Sequence, residues 1–120
     1  MTGIKYMLDT NIVIGLFNRN SAVLELVAKH NISDLRVCAI SIVTRMELLS
    51  YHSITEQEML YIEKQLNLMT CFKIDSSVEE QTIRYRRLNR GKLPDAIIAA
   101  TAQINQLPLL TIDKKLAGNL

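Results

Sequence analysis

The chain has 120 residues, 48% of them hydrophobic, and its formal net charge is +2. This length suits a single domain over residues 1–120, and the apolar content excludes a disordered chain. The nearly balanced charge does not by itself indicate a polyanionic partner. Because no hydrophobic run is long enough to cross a bilayer and no signal sequence opens the chain, we expect a cytoplasmic protein that does not bind membranes. Cys38 and Cys71 lie in apolar surroundings and are expected to be unpaired core residues.

Four short apolar runs are predicted to form strands. They cover residues 4–8, 36–40, 71–74 and 109–111. Helical segments joined by tight connections alternate with these runs, which is the pattern of a parallel sheet covered by helices on both faces. We therefore predict an α/β fold with three layers, α/β/α, around a central parallel sheet. The sheet has four strands, or five in the alternative prediction.

Residues typical of helix caps mark where the helices begin. They are Thr10 or Asn11 for a helix over residues 12–17, then Ser21, Ser41, and the capping boxes Thr55-x-x-Glu58 and Ser76-x-x-Glu79. In the helix after Ser41, the spacing of Ile42, Met46 and Leu49 predicts that these side chains face the core. Pro94 suits the first position of a later helix.

Four acidic residues lie where a predicted strand ends or where the following helix begins: Asp9, Glu47, Asp95 and Asp113. Taken singly, each has an ordinary explanation as a helix cap or a surface residue. Right-handed crossovers, however, place the carboxyl ends of all parallel strands on one edge of the sheet, so the four acids are predicted to converge there. Converging carboxylates repel unless a cation neutralises them. Because the candidate ligands are all oxygen donors, Mg²⁺ or Mn²⁺ is favoured over Zn²⁺, and such an ion indicates phosphodiester hydrolysis.

A run of five basic residues without an acid precedes the third of these acids: Arg84, Arg86, Arg87, Arg90 and Lys92. Basic clusters of this kind are typical of phosphate contacts, although a solvated helix face with a cationic C-terminal turn would look the same. Because the run leads directly to Asp95, we favour contacts with phosphates.

Four segments resemble, in order, the motifs of PIN-domain ribonucleases, and most closely the VapC-type toxins of bacterial toxin–antitoxin pairs. They are residues 6–11 (YMLDTN), 41–48 (SIVTRMEL), 94–102 (PDAIIAATA) and 110–113 (LTID). The resemblance implies endonucleolytic cleavage of RNA that depends on Mg²⁺ or Mn²⁺. It also implies a cognate antitoxin and a homodimer. Family members often continue into a further strand, and many carry the last acid later with an aromatic residue beside it, so this chain departs from the family pattern most at Asp113.

By their positions in these motifs, the four acids would form the metal site and the catalytic centre. Asp9 and Asp95 are expected to bind the ion directly, whereas Glu47 and Asp113 act partly through bound water. Supporting roles follow for four polar residues: Asn11 and Thr111 would orient the acids, and Ser41 and Thr44 would hold the start of the helix that carries Glu47.

Three other functions are consistent with a chain of this size. A PIN-fold nuclease with a housekeeping role in RNA processing would share the same site. A phosphoacceptor signalling domain would share the alternating pattern, but it needs a pair of acids after the first strand, where Asp9 is followed by Thr10. A catalytically silent RNA-binding module would not require the complete acidic set.

Overall fold

The computed structural model describes residues 3–119. In that part of the chain, four parallel strands form one sheet in the order β3-β2-β1-β4. The strands are β1 (Tyr6–Leu8), β2 (Cys38–Ser41), β3 (Thr70–Phe72) and β4 (Leu109–Leu110). The helices are α1 (Thr10–Phe17), α2 (Ser21–Lys29), α3 (Ile42–Leu49), α4 (Glu56–Leu66), α5 (Ser76–Asn89), α6 (Leu93–Ile104) and α7 (Lys114–Gly118).

The sheet separates two apolar layers, as the predicted three-layer fold requires. Leu8 of β1 packs into a cluster on one face that includes Ile12 of α1 and Leu66 of α4. The preceding residue, Met7, points to the other face and packs with Ile98 of α6. Successive side chains of a strand point to opposite faces, so β1 is buried on both sides. The predicted α/β/α architecture with four parallel strands is confirmed over the described residues.

The strands are shorter than predicted. β1 begins at Tyr6 instead of residue 4, because the parallel pairing starts where Tyr6 lies opposite Cys38. Residues Leu35–Val37 form a 3₁₀ turn, so β2 starts at Cys38. Its pairing with β3 extends to Ser41, which lies opposite Phe72. A strand ends where its neighbour no longer offers backbone partners, which apolar composition alone does not reveal.

Some of the predicted helix caps are one residue or more too late. The N-cap of α1 is Asp9, that of α2 is Asn20 and that of α5 is Asp75, and each side chain accepts a hydrogen bond from a backbone N–H of the first turn. Asn and Asp are as favourable at this position as Ser and Thr, so the backbone conformation determines which of two neighbouring residues is the cap. The cap at Ser41 and the capping box at Thr55 are confirmed.

The buried face of α3 differs from the predicted one. Met46 is 54% exposed, whereas Val43, Thr44 and Leu48 are buried. Because α3 begins directly after the buried Ser41, the end of β2 determines which side of α3 faces the core. The spacing of the apolar residues along α3 does not determine it.

The cysteines are unpaired, as predicted, and burial raises the pKa of Cys38 to about 11, so its thiol stays protonated. Among residues 3–119, none of the helices combines the length and the apolar character needed to cross a membrane.

Candidate active site at the carboxyl edge of the sheet

Asp9 follows β1 directly and is only 5% exposed. Its Oδ1 accepts a hydrogen bond from the Thr10 backbone N–H at 2.8 Å, and its Oδ2 accepts one from the Thr111 hydroxyl at 2.7 Å. Loss of hydration raises the pKa of Asp9 above its usual value, although the two hydrogen bonds act in the opposite direction. Asp9 is therefore both a helix cap and a buried carboxylate at the edge of the sheet.

The Thr111 hydroxyl is the centre of a small hydrogen-bond network. Besides donating to Asp9, it accepts from Asn11 Nδ2 at 3.2 Å and from the Asp113 backbone N–H at 3.0 Å. Asn11 and Thr111 are distant in sequence, but the strands that precede them, β1 and β4, are neighbours in the sheet, with Leu8 opposite Leu110. The structure thus brings Asn11 and Thr111 to Asp9, where the sequence placed them.

Glu47 reaches the site through Thr10. The Thr10 hydroxyl donates to Glu47 Oε1 at 2.7 Å and lies 2.9 Å from Thr44 Oγ1. Thr44 is buried, whereas Glu47 is exposed on the surface of α3. Ser41 accepts from the Val43 backbone N–H at 3.0 Å and so caps the same helix. The sequence pattern predicts Thr10 only as a helix cap, although its position immediately after Asp9 is a signal for a role in the site.

Asp95 lies in the first turn of α6 and is half-buried. The chain reverses direction before it at Gly91, whose φ of 105° is unfavourable for a residue with a side chain. Ala96, Ala99 and Ala100 are fully buried, so α6 packs closely against its neighbours and holds its N-terminal turn in place. The negative charge of Asp95 contributes to the raised pKa of Asp9.

Asp113 is exposed and caps α7. Its Oδ1 accepts hydrogen bonds from the backbone N–H groups of Lys115 at 3.0 Å and Leu116 at 3.2 Å. Its charge also contributes to the raised pKa of Asp9. Asp113 Oδ1 therefore serves as the helix cap, while Oδ2 accepts no hydrogen bond from the described residues.

The acidic edge, defined as Asp9, Glu47, Asp95 and Asp113, has no basic partner in the described part of the chain. The ion pairs there join other residues, Arg36 to Asp34 and Arg45 to Glu63. No group of three or more His, Cys, Asp or Glu side chains within residues 3–119 is arranged closely enough to hold a metal ion by itself.

This donor set still fits Mg²⁺ or Mn²⁺. Mg²⁺ usually keeps several waters and binds through one or two carboxylates together with substrate phosphate oxygens, so it does not need a compact protein cage. Burial and the charges of Asp95 and Asp113 raise the pKa of Asp9, and a cation would offset these unfavourable interactions.

The five residues of the basic run are all exposed. Arg84, Arg86 and Arg87 lie on α5, while Arg90 ends that helix and Lys92 precedes α6. One guanidinium N–H of Arg86 donates to the Gly91 carbonyl at 3.1 Å, so this side chain also braces the turn before α6. The run is thus continuous with the segment that carries Asp95.

Comparison with protein families matches residues 6–118 to the PIN domain. Among solved structures, a chain of a toxin–antitoxin complex from Klebsiella pneumoniae is 30% identical with a TM-score of 0.80, and the match covers 95% of this chain and 92% of that chain. A chain of DNA-bound VapBC from Salmonella typhimurium is 22% identical with a TM-score of 0.67, covering 87% and 83%. A chain of VapBC2 from Rickettsia felis bound to a promoter DNA fragment is 23% identical with a TM-score of 0.66, covering 96% and 94%. No curated protein matches the sequence.

The fold and the site together define a parallel α/β protein with acidic side chains at the carboxyl edge of its sheet. The family match extends over nearly the whole chain, and with it the chain belongs to the PIN-domain family. The resemblance inferred from the four sequence motifs is confirmed.

Proposed function

We propose that this protein is a cytoplasmic, metal-dependent endoribonuclease and the toxin of a toxin–antitoxin pair. The observation that carries the proposal is Asp9, a buried carboxylate whose pKa is raised by burial and by the charges of Asp95 and Asp113, in a chain of the PIN-domain family. A buried acid without a basic partner is costly to the fold, which is typical of a functional site.

Asp9 and Asp95 would bind Mg²⁺ or Mn²⁺ directly, and Glu47 and Asp113 would act partly through bound water. When bound, the ion supplies a water of lowered pKa and neutralises negative charge on the phosphate. The protein side chains have the task of orientation. Thr111 holds one oxygen of Asp9, and the N-terminal turn of α6 holds Asp95, so neither carboxylate has to be ordered when the substrate arrives.

The basic run would hold the RNA backbone. Its side chains are exposed, none of them takes part in an ion pair among the described residues, and the run ends beside the helix that carries Asp95. Phosphate contacts of this kind position a nucleic acid without reading its sequence. The run thus accounts for affinity, and specificity for one RNA would have to come from other contacts.

The test of the proposed activity is the substitution of the two expected metal ligands. Asp9→Asn and Asp95→Asn should each abolish RNA cleavage in Mg²⁺ while the circular dichroism spectrum stays unchanged. The matched control is Asp34→Asn, which removes an exposed carboxylate paired with Arg36. Full cleavage by either site variant, or by the wild-type protein in excess EDTA, would refute the mechanism.

A toxin requires a partner that restrains it, and the structure offers one apolar surface suited to this. A cavity of about 550 Å³ lies between α1 and α4 beside the end of α3, and Tyr51 and Tyr61 on its rim are more than half exposed. Its lining includes Ile14, Phe17, Leu48 and Ile62. Exposed apolar surface with aromatic residues is typical of sites that bind an amphipathic segment of another protein. We propose that this cavity receives the antitoxin.

Binding of the antitoxin, sought first in the reading frames that flank this gene, tests that assignment. Tyr61→Asp should weaken the binding while RNA cleavage is retained. Leu60→Asp is the matched control, because Leu60 is exposed on the same helix but outside the cavity lining. Equal binding by both variants would place the antitoxin elsewhere.

Expression in a bacterial host distinguishes the toxin from a housekeeping nuclease. A toxin should arrest growth, and co-expression of the partner should restore it. Growth without arrest, together with metal-dependent cleavage by the purified protein, would favour the RNA-processing role. We also propose a homodimer, as the family resemblance implies, and sedimentation of the purified protein tests this directly.

A further inference from the structure

The side chain of Thr10 connects two helices at the acidic edge. Thr10 is the first residue of α1, immediately after Asp9. Its hydroxyl lies 2.7 Å from Glu47 Oε1 and 2.9 Å from Thr44 Oγ1, and both partners belong to α3. One hydroxyl group therefore joins the helix that carries Glu47 to the end of β1, where Asp9 lies.

The chemistry of these groups sets the direction of both hydrogen bonds. A threonine hydroxyl has one proton to donate and two lone pairs that accept. The Thr10 hydroxyl donates its one proton to Glu47 Oε1, so Thr44 must donate to Thr10. Because Thr44 is 0% exposed, the packing of α3 fixes the position of its hydroxyl. The order is thus Thr44 to Thr10 to Glu47.

Glu47 needs such a partner more than Asp9 does. Asp9 is buried and is held by the Thr10 backbone and by Thr111. Glu47 has a longer side chain, is exposed on α3, and takes part in none of the ion pairs among residues 3–119. An exposed glutamate samples many rotamers, so its carboxylate would rarely point to the site without a fixed donor.

We propose that Thr10 is a positioning residue that holds the Glu47 carboxylate at the acidic edge, with Thr44 orienting the Thr10 hydroxyl. The inference rests on the proposed metal-dependent nuclease function. Thr10 acts through Glu47 and contacts neither the RNA nor the reacting atoms. Two threonines thus do for Glu47 what Thr111 does for Asp9.

Thr10→Val tests the proposal, since it removes the hydroxyl and keeps the shape of the side chain. We expect Mn²⁺ binding without RNA, measured by calorimetry, to weaken by about 10-fold to 100-fold, with a parallel fall in kcat. Thr10→Ser keeps the hydroxyl and should restore both. Thr82→Val is the matched control, because Thr82 is a buried threonine of α5 whose hydroxyl donates to the Val78 carbonyl, and it should bind Mn²⁺ as the wild-type protein does.

A double-mutant cycle separates positioning from a general effect on the fold. In a Glu47→Ala background, Thr10→Val should have no further effect on Mn²⁺ affinity, because its target is already absent. Additive losses, or wild-type affinity in Thr10→Val, would overturn the proposal for Thr10 alone. If Thr10→Val does not fold by circular dichroism, Thr10→Ala carries the same expectations. A wild-type protein that neither binds Mn²⁺ nor cleaves RNA would overturn the proposed function, and this inference with it.

Discussion

Replacement of Thr111 by valine is the most informative perturbation of the site, because one hydroxyl connects three groups. The change keeps the size of the side chain and removes the bond to Asp9 at 2.7 Å, together with those from Asn11 and from the Asp113 backbone N–H. The last two donors belong to residues that are partly or largely exposed, so water can replace their partner. The bond to the buried Asp9 cannot be replaced in this way.

The expected loss of stability in Thr111→Val follows from this difference between the buried and the exposed partners. A hydrogen bond to a charged group contributes about 1.5 to 3 kcal/mol, and loss of the exposed bonds adds little, so Thr111→Val should lower the free energy of unfolding by about 2 kcal/mol. For a chain of 120 residues, the usual entropy of unfolding converts this into a fall in Tm of about 8 °C.

The stability lost in Thr111→Val should depend on pH. The pKa of Asp9 is raised, so the folded protein binds this proton more tightly than the unfolded chain, and stability falls as pH rises from the usual Asp range through the folded pKa. The Thr111 bond lowers the pKa of Asp9, so the valine variant has a still higher pKa and its fall in stability extends to higher pH. The difference between wild type and variant should therefore be larger at about pH 8 than at about pH 4.

Urea unfolding of metal-free protein in EDTA, at both pH values, measures this difference. Thr111→Ser is the matched control and should resemble the wild-type protein, because it keeps the hydroxyl. An equal loss of stability at both pH values would refute the claim that the Thr111 bond supports an ionised Asp9. A serine variant as unstable as the valine variant would show that packing of the methyl group, and not the hydroxyl, is what matters.

Two further predictions concern packing and RNA binding. In Gly15→Ala the new Cβ would overlap Val23, whose own Cβ would lie only 2.7 Å away, so α1 and α2 must separate. We expect the free energy of unfolding, measured in urea, to fall by about 1 to 2 kcal/mol after the gain in helix propensity. Gly118→Ala in α7 is the control, because its Cβ meets nothing within 4 Å and should not lower stability. Arg87→Ala with Arg90→Ala should reduce the slope of log affinity for single-stranded RNA against log salt by about 1.4, and an unchanged slope would return both residues to a solvated helix face.

Much of the architecture could be predicted from local patterns. The abrupt end of an apolar run at Asp9, the capping box at Thr55 and the proline that opens α6 are signals carried by a few adjacent residues, and each marks a boundary close to the observed one. The handedness of crossovers then places strand ends on one edge without further information. The same rule predicts that the four acids share this edge.

Other features depended on contacts between distant segments. The buried face of α3 is set by the end of β2, so Met46 is exposed in spite of its apolar spacing. Strand lengths depend on pairing, which moves the start of β1 to Tyr6. The role of Thr10 depends on an α3 residue that lies 37 positions away. Hydrophobic periodicity describes one segment at a time, so it carries no information about contacts between distant segments.

The sequence by itself determined the family and the order of the four strands and of helices α1 to α6, because capping, patterning and chain handedness act over short distances or apply to all proteins. That the four acids share one edge of the sheet stays a prediction from the same rules. The tertiary structure decided which of the acids is buried and which threonine hydroxyl supports each carboxylate. Burial and hydrogen bonding depend on what packs against a side chain, and for Asp9 and Glu47 those neighbours come from α1, α3 and the residue that follows β4.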